Sequence, residues 1–327
     1  MNDDAIGGYF GLELVERRAP AWISHAHRFV SGRAAIAAFL ATRSKGILWL
    51  PHFVCGAVLE ATLGAGRPVR RYALADDFAP PRNLPIEVDD TILIVDYFGV
   101  TGEAVKRALE HFGRERVLVD ASQSLFFPRD LAEHIVYSPR KFAGLPDGGL
   151  LVTSRPASST GQSDERGSIY RVQHLLERAA GLREEGRENF AKAERSLTYT
   201  HPAPMSLLTG SMLENLDFGW IKNARARNAS VLRDAASRVH PLLDQAPPDV
   251  APLCIPVLST NTERVRATLS GQRVFLAHYW PDAIVPTHDR HARILMEQTL
   301  FLPCDQRYET QDMERLILLV DQARRSP

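Results

Sequence analysis

The chain has 327 residues, and its 39 lysines and arginines balance its 39 aspartates and glutamates, so the formal net charge is zero. A neutral chain lacks the positive field of a general nucleic-acid-binding protein, and no apolar run reaches the roughly 20 residues that a membrane-spanning helix needs. The acidic start, residues 1–4, is unlike a secretory signal, and the three cysteines (Cys55, Cys254 and Cys304) form no CxxC pair. We therefore expect a cytoplasmic protein whose partners are neither nucleic acids nor membranes.

The first half of the chain alternates short apolar runs with stretches that favour helix. Strands are predicted over residues 46–50, 68–72, 91–96, 116–120, 135–137 and 150–153, and helices over 31–42, 52–65 and 103–112. Continuous β-branched runs between helices indicate strands that are buried on both faces. The pattern therefore predicts an α/β fold with a mostly parallel sheet and crossover helices.

The second half is richer in charged helical sequence. A polar connection over 154–167 leads to a long helix over 169–197, which we expect to break near Gly186, and to further helix over 207–237. Neither GxGxxG nor GxxxxGK[ST] occurs, so the two common nucleotide cradles are absent.

A proline-rich stretch after residue 241 is interpreted as a linker, with Pro247, Pro248, Pro252 and Pro256. It should lead into a smaller α+β unit that has a strand over 273–277 and a last helix over 310–323. The sequence therefore predicts a large domain over 1–240 and a small C-terminal domain over 241–327.

An aspartate follows the predicted strand at 116–120, within the run Val119-Asp120-Ala121-Ser122-Gln123. Ligands bind at the carboxyl edge of open α/β sheets, where this carboxylate should lie. A carboxylate there can hold a protonated heteroaromatic nitrogen by a charge-assisted hydrogen bond. The alternative is that Asp120 only caps the turn that follows, which is the commoner role of such a residue.

A lysine follows the predicted strand at 135–137 and enters a glycine-rich turn that ends in Gly148-Gly149. Partial desolvation disfavours an ammonium ion, so a lysine in such a site becomes a nucleophile toward aldehydes. Ser138 precedes Lys141 by three residues, and its hydroxyl could bind a phosphate. The alternative is an ordinary solvated lysine beside a turn.

The run Ser31-Gly32-Arg33 begins the predicted helix at 31–42. The free N–H groups and positive dipole of such a helix start suit a phosphate, while Arg33 either adds charge or is simply exposed. Together with Asp120 and Lys141, this start supplies a phosphate cradle, an acid for a ring nitrogen and an amine for an aldehyde. These are the groups that pyridoxal phosphate (PLP) requires.

At this point the chain resembles the DegT/StrS-type sugar aminotransferases, a branch of the fold-type-I PLP enzymes. The similarity covers most of the sequence. Its landmarks are the helix start at 29–40, which is similar to the family's "SGTAAL" motif, the segments 50–78 and 91–102, the "DAAQ"-like 120–123, Lys141 with Gly148-Gly149, and the C-terminal segments 278–281 and 302–305.

The resemblance implies a fold-type-I transferase with a three-layer α/β/α large domain and a small α+β domain. It also implies PLP as cofactor, a homodimer, glutamate as amino donor, and a nucleotide-linked keto sugar or related ketone of polysaccharide biosynthesis as acceptor. Lys141 would be the Schiff-base lysine and Asp120 the partner of the pyridine nitrogen. The remaining implied contacts are those of Ser122 and Gln123 with the cofactor ring, and of Ser138, Gly32 and Arg33 with its phosphate.

The sequence departs from the family pattern at three places. The residue expected to stack on the cofactor ring is Cys55, with Phe53 or Phe98 as alternatives. Family members usually have a phosphate-binding serine five residues before the lysine, and this chain has Val136 at that position. The "N-Y-R" element that reaches the partner subunit reads Tyr-Thr-His-Pro over 199–202, where His201 could take part.

Two other functions have weaker support. His278, His288 and His291 have spacings that are seen in metal sites. No cysteine or acidic set completes a zinc site, however, so we expect no bound metal. A protein with the PLP fold could also serve as a binding or regulatory component without transaminase activity. The presence of both Lys141 and Asp120 favours the enzyme, because a protein that has lost the chemistry has no physical need for that pair.

Overall fold

The computed structural model of the protein describes residues 10–14, 18–43, 45–236 and 238–325. The acidic start at 1–4 and the last residue of the helix predicted over 207–237 lie outside these ranges. Within the described ranges, no helix is both long and apolar enough to cross a membrane.

Helices and strands alternate through the first half of the chain. In order, they are α1 (Trp22–His25), β1 (His27–Phe29), α2 (Gly32–Ala41), β2 (Leu48–Pro51), α3 (Gly56–Gly64), β3 (Val69–Tyr72), β4 (Thr91–Val95), α4 (Gly102–Phe112), β5 (Val117–Ala121), β6 (His134–Tyr137) and β7 (Gly149–Thr153). Short 3₁₀ turns cover Tyr97–Gly99 and Pro139–Lys141.

Helices dominate the second half. The elements there are α5 (Glu165–Ala179), α6 (Arg183–Ser196), α7 (Leu207–Glu214), α8 (Phe218–Ala235), β8 (Cys254–Leu258), α9 (Thr262–Gly271), α10 (Arg290–Glu297), β9 (Thr299–Pro303) and α11 (Thr310–Arg325). A 3₁₀ turn at Pro241–Gln245 follows α8.

The main sheet has seven strands in the order β1-β7-β6-β5-β4-β2-β3. Strands β2 to β6 run parallel, whereas β7 is antiparallel to both β6 and β1. Every residue of β4, β5 and β6 is buried, as the continuous apolar runs predict for strands covered on both faces. The predicted α/β fold with a mostly parallel sheet is confirmed, while the short polar strand β1 was not predicted.

Helix α2 begins at the edge of the large sheet and is buried along most of its length. The Ser31 hydroxyl accepts a hydrogen bond from the Ala34 amide at 3.2 Å, which caps the helix. All seven residues from Ala34 to Leu40 are buried, because the helix packs on β7 on one side and on α3 on another. The capped start of α2 is therefore held firmly at the sheet.

The two long helices predicted in the second half are each divided. The first breaks at Gly181, which has a φ of +83°, and the prediction of a break near Gly186 was wrong. A β-carbon on Gly186 would lie 3.4 Å from the His174 carbonyl oxygen, so this glycine allows α6 to pack closely on α5. The second divides into α7 and α8, because the Asp217 carboxylate caps a new helix at the Trp220 amide, 2.8 Å away.

The C-terminal region differs most from the sequence prediction. Residues 254–258, within the predicted proline linker, form β8, which pairs antiparallel with β9. Pro256 fits there because a two-stranded sheet has only edge strands, where a missing N–H is tolerated. The strand predicted over 273–277 is absent; only Ala277 makes a single bridge, to Phe301. The domain division at 240/241 stays a prediction.

Two fully buried histidines should make the stability depend on pH. Burial lowers the pKa of His134 and of His240 to about 4, from an ordinary value of 6.5. The unfolded chain therefore takes up these two protons at a higher pH than the folded chain does. Stability should be fully present above pH 6.5 and should fall as the pH drops from 6.5 toward about 4.

The variant His240→Asn tests this expectation, because asparagine does not titrate but can still accept the hydrogen bond from the Leu242 amide. Urea midpoints measured across the same pH range should fall less steeply for the variant than for the wild type. His111→Asn, which changes an exposed histidine of α4, is the control and should keep the wild-type slope. Parallel curves for all three proteins would contradict the assignment.

Candidate functional site

The predicted site residues meet at the carboxyl edge of the parallel strands. Val95, Asp120 and Val136 are paired across β4, β5 and β6, so residues that follow these strands share one edge of the sheet. Asp120 lies one residue before the end of β5, and Lys141 lies in the 3₁₀ turn that follows β6. The topology thus brings together the aspartate and the lysine that the sequence singled out.

A chain of hydrogen bonds joins these two residues. The Lys141 Nζ donates to Ser122 Oγ at 3.2 Å, and the Ser122 amide donates to Asp120 Oδ1 at 2.9 Å. Asp120 is 1% exposed, whereas Lys141 is partly exposed. Asp120 therefore does cap its turn, as the alternative interpretation predicted, but this bond uses only one of its two carboxylate oxygens. The lysine is not an ordinary solvated side chain.

The start of α2 lies against the end of β6. A β-carbon on Gly32 would stand 3.8 Å from the Ser138 β-carbon, so this helix start and Ser138 face the same space. Ser138 is buried, and its hydroxyl makes no hydrogen bond within the described ranges. The amides at the helix start and this hydroxyl have the chemistry that binds a phosphate.

The two glycines after the lysine turn bring β7 beneath this helix start. A β-carbon on Gly149 would come within 2.2 Å of the Ser31 carbonyl group, which leaves room for glycine alone. Gly148 has a φ of +119°, which also favours glycine, and its amide donates to the Val30 carbonyl oxygen at 2.7 Å. The Gly-Gly pair therefore fixes the helix start relative to the lysine turn.

The Arg33 side chain points to other partners. Its guanidinium contacts the Glu60 carboxylate at 3.1 Å and donates to the Leu197 carbonyl oxygen at 2.5 Å. Its charge is thus shared with α3 and with the end of α6. The Arg33 amide, in the first turn of α2, remains available for a phosphate.

Gln123 is fully buried and has one unused donor. Its Oε1 accepts from the Phe98 amide at 3.1 Å, while its Nε2 has no hydrogen-bond partner among the described residues. An unpaired buried amide is costly, since it forfeits its hydrogen bonds to water. A bound group with an acceptor oxygen would satisfy it, as the ring hydroxyl of PLP could. The residues present therefore fit the implied cofactor.

The aromatic residues considered for ring stacking lie in the core. Phe98 is fully buried, with its ring centroid 4.7 Å from that of Phe301 and 5.6 Å from that of Tyr279. Phe53 packs in the same way on Tyr97, at 5.9 Å. Cys55, the residue before α3, is half-buried and is a free thiol. The stacking role of Cys55 or Phe98 stays a prediction.

The histidines considered as metal ligands do not converge on a metal site. Within the described ranges, no group of three or more His, Cys, Asp or Glu side chains is placed to hold a metal ion. His288 instead packs edge-on against His52, whose Nδ1 lies 2.9 Å from the buried Asp289 carboxylate. His201 is exposed and packs beside Tyr199.

Sequence reasoning missed a buried ionic network behind the lysine turn. The Asp147 carboxylate accepts from Arg171 Nε at 3.0 Å and Nη2 at 2.8 Å, and from the hydroxyls of Ser168 and Thr209. Asp147 is fully buried, and the Arg171 side chain is 2% exposed. In the sequence, Asp147 is only one residue of the glycine-rich turn that ends in Gly148-Gly149, and nothing there indicates its distant partners.

Several solved structures share the fold at low sequence identity. A DegT/DnrJ/EryC1/StrS aminotransferase from Brucella abortus is 16% identical, with 92% of this chain and 86% of that chain covered and a TM-score of 0.60. DesV from S. venezuelae, determined with a ketimine intermediate, is 16% identical over 92% and 85% of the two chains, at a TM-score of 0.64. NtdA from Bacillus subtilis, determined with bound cofactor PMP, is 12% identical over 94% and 78%, at 0.62.

No protein-family model matches the sequence, and no curated protein matches it. The structural likeness nevertheless extends over nine-tenths of the chain, with a mostly parallel sheet flanked by helices. It confirms the fold-type-I architecture that the sequence motifs predicted. The chain therefore has the fold of the DegT/StrS-type sugar aminotransferases and resembles them as a divergent sequence.

Proposed function

We propose that the protein is a PLP-dependent aminotransferase that moves an amino group, from glutamate, to a keto group. The observation that carries the proposal is the hydrogen-bonded chain of Lys141, Ser122 and Asp120 at the carboxyl edge of the sheet, next to Gln123, whose Nε2 has no hydrogen-bond partner among the described residues. The likeness in fold to aminotransferases, one of them determined with PMP, supports both the cofactor and the reaction class.

Bound PLP supplies an electron sink for the carbon that carries the amino group. Lys141 Nζ would attach the cofactor and then carry the proton that moves during amino transfer. Asp120 would keep the ring nitrogen protonated, and Gln123 Nε2 would donate to the ring hydroxyl. The phosphate would be bound by the Ser138 hydroxyl and the amides of Gly32 and Arg33.

We propose a nucleotide-linked keto sugar or a related small ketone as the acceptor, with a place in polysaccharide biosynthesis. Its support is the likeness in fold to sugar aminotransferases such as CalS13 from Micromonospora echinospora.

A homodimer in the cytoplasm is proposed on the family resemblance. Exposed apolar side chains on α5 and α6, at Ile169, Leu176 and Phe190, supply a surface that a second copy could cover. Sedimentation equilibrium tests the dimer, and a monomer at working concentration would contradict it.

Absorbance spectra test the proposed reaction directly. Added PLP should give the visible band of a lysine-bound cofactor, and added glutamate should replace it with the band of pyridoxamine phosphate. A band that ignores glutamate would contradict glutamate as donor. A folded protein that gives no band would contradict cofactor binding and favour a binding or regulatory role.

A further inference from the structure

A buried arginine touches the turn that carries Lys141. Arg225 of α8 is 2% exposed, and its guanidinium donates to three backbone carbonyl oxygens. Its Nη1 donates to Pro252 at 3.0 Å and to Leu253 at 3.2 Å, and its Nη2 donates to Phe142 at 3.3 Å. Within the described ranges, no carboxylate lies within salt-bridge distance of it.

The positive charge of Arg225 is not expected to stabilise the fold at this buried position. Burial lowers the pKa of Arg225, because its surroundings disfavour the charged form. The Asp305 carboxylate, which acts on the Arg225 charge from a distance, is itself bound by Arg307 at 2.7 Å. Apolar side chains of similar volume often serve buried positions equally well or better. The hydrogen-bond geometry of the guanidinium is therefore the property that the position uses.

Phe142, whose carbonyl oxygen accepts a hydrogen bond from Arg225, directly follows Lys141 in the chain. The Phe142 carbonyl oxygen also accepts from Gln306 Nε2 at 2.7 Å, and the guanidinium lies 4.6 Å from the centre of the Phe142 ring. The Phe142 amide donates to the Pro139 carbonyl oxygen at 2.9 Å and so closes the 3₁₀ turn around Lys141. The C-terminal end of this turn is thus fixed by two donors and a ring contact.

The same guanidinium also reaches the other side of the site. Leu253, whose carbonyl it binds, donates its own amide to the Phe98 carbonyl oxygen at 2.8 Å. The Phe98 amide in turn holds Gln123 Oε1. Arg225 therefore connects the lysine turn with the segment that orients the unpaired Gln123 amide.

We propose that Arg225 is a positioning residue, which fixes the Phe142 carbonyl and thereby the direction of Lys141 toward Ser122 and the bound cofactor. The inference rests on the proposed function for its effect on turnover. Its effect on the lysine turn is independent of that function and can be measured on the PLP-free protein.

Helix α8 offers a matched control. Arg233 also donates to three backbone carbonyl oxygens, those of Pro247 at 2.8 Å and of Leu243 and Ala246 at 3.4 Å. None of these belongs to the lysine turn. Arg225→Met and Arg233→Met thus remove comparable sets of hydrogen bonds from the same helix, and only the first should disturb Lys141.

Hydrogen exchange on the PLP-free protein is the first measurement. Arg225→Met should speed amide exchange over residues 139–145, and Arg233→Met should leave it as in the wild type. With PLP bound, Arg225→Met should lower kcat by about 10- to 100-fold with little change in the KM for glutamate, because small misplacements of a catalytic group have costs of this order. The kcat of Arg225→Lys should lie between those of the wild type and Arg225→Met, since lysine keeps the charge but lacks the planar guanidinium fork.

A folded Arg225→Met protein that matches Arg233→Met in both exchange and kcat would overturn the proposal. Should Arg225→Met not fold, Gln306→Leu decides, because it removes the second donor to the same Phe142 carbonyl. Faster exchange over 139–145 in this variant supports the proposal, and wild-type exchange overturns it. A wild-type protein without a PLP band would instead overturn the proposed function and leave the exchange result valid.

Discussion

Replacing Lys141 with alanine is expected to abolish the visible PLP band and to reduce turnover by at least about 10²- to 10⁴-fold, the usual contribution of a positioned acid–base group. We expect no other lysine to take over its role. It is the Lys141 Nζ that donates to Ser122, whose amide in turn donates to Asp120. The purified variant should be compared with the wild type in absorbance after PLP addition and in amino transfer from glutamate.

The variant should remain folded, since Lys141 is partly exposed and its side chain makes one hydrogen bond, to Ser122. Lys106→Ala, on the exposed face of α4, is the control and should keep both the band and the activity. Full turnover by Lys141→Ala would end the aminotransferase proposal. Loss of turnover with an intact band would place the PLP on another lysine.

Replacing Asp147 with asparagine is expected to lower the free energy of unfolding by about 3 kcal/mol or more, the usual cost of breaking a buried ion pair. Arg171 would keep its charge at 2% exposure with only Asp164, which is 36% exposed, as a remaining carboxylate partner. The hydroxyls of Ser168 and Thr209 would also lose a charged acceptor. Urea denaturation at neutral pH measures the loss.

The double variant Asp147→Asn with Arg171→Met should recover part of that stability, because it removes the uncompensated charge as well. Glu297→Gln provides the surface control. It breaks the i,i+4 pair with Arg293, whose side chains are 37% and 39% exposed, and should cost no more than about 0.5 kcal/mol. Equal losses in the free energy of unfolding for Asp147→Asn and Glu297→Gln would show that the buried network stabilises the fold no more than an exposed ion pair does.

The centre of the large sheet could be predicted from sequence because strands β4, β5 and β6 are buried on both faces. Such strands appear as continuous apolar runs, and each predicted run corresponds to an observed strand within a few residues. The C-terminal sheet could not be predicted in this way. Strand β8 contains Pro256, which normally marks a linker, and its partner β9 follows it only after two helices.

The site was predictable only in part. The chain order of Gly32, Asp120 and Lys141 indicated the chemistry, because Gly32 begins a predicted helix and the other two lie at or after the ends of predicted strands. The partners that hold these residues could not be identified, since Asp147 and Arg171 are 24 residues apart and Phe142 and Arg225 are 83 apart. Contacts between such distant side chains leave no periodic signal in one sequence.

Strand β7 lies between β6 and β1 in the sheet, and this position determines when the proposed site can assemble during synthesis. β7 is the last strand of the main sheet to leave the ribosome, yet it alone pairs with β1 and meets the start of α2 through Gly149. A nascent chain that ends before residue 149 already contains Asp120 and Lys141 but lacks the strand that meets the start of α2 through Gly149. Assembly of the proposed phosphate site therefore awaits a long-range pairing, of the kind that forms slowly.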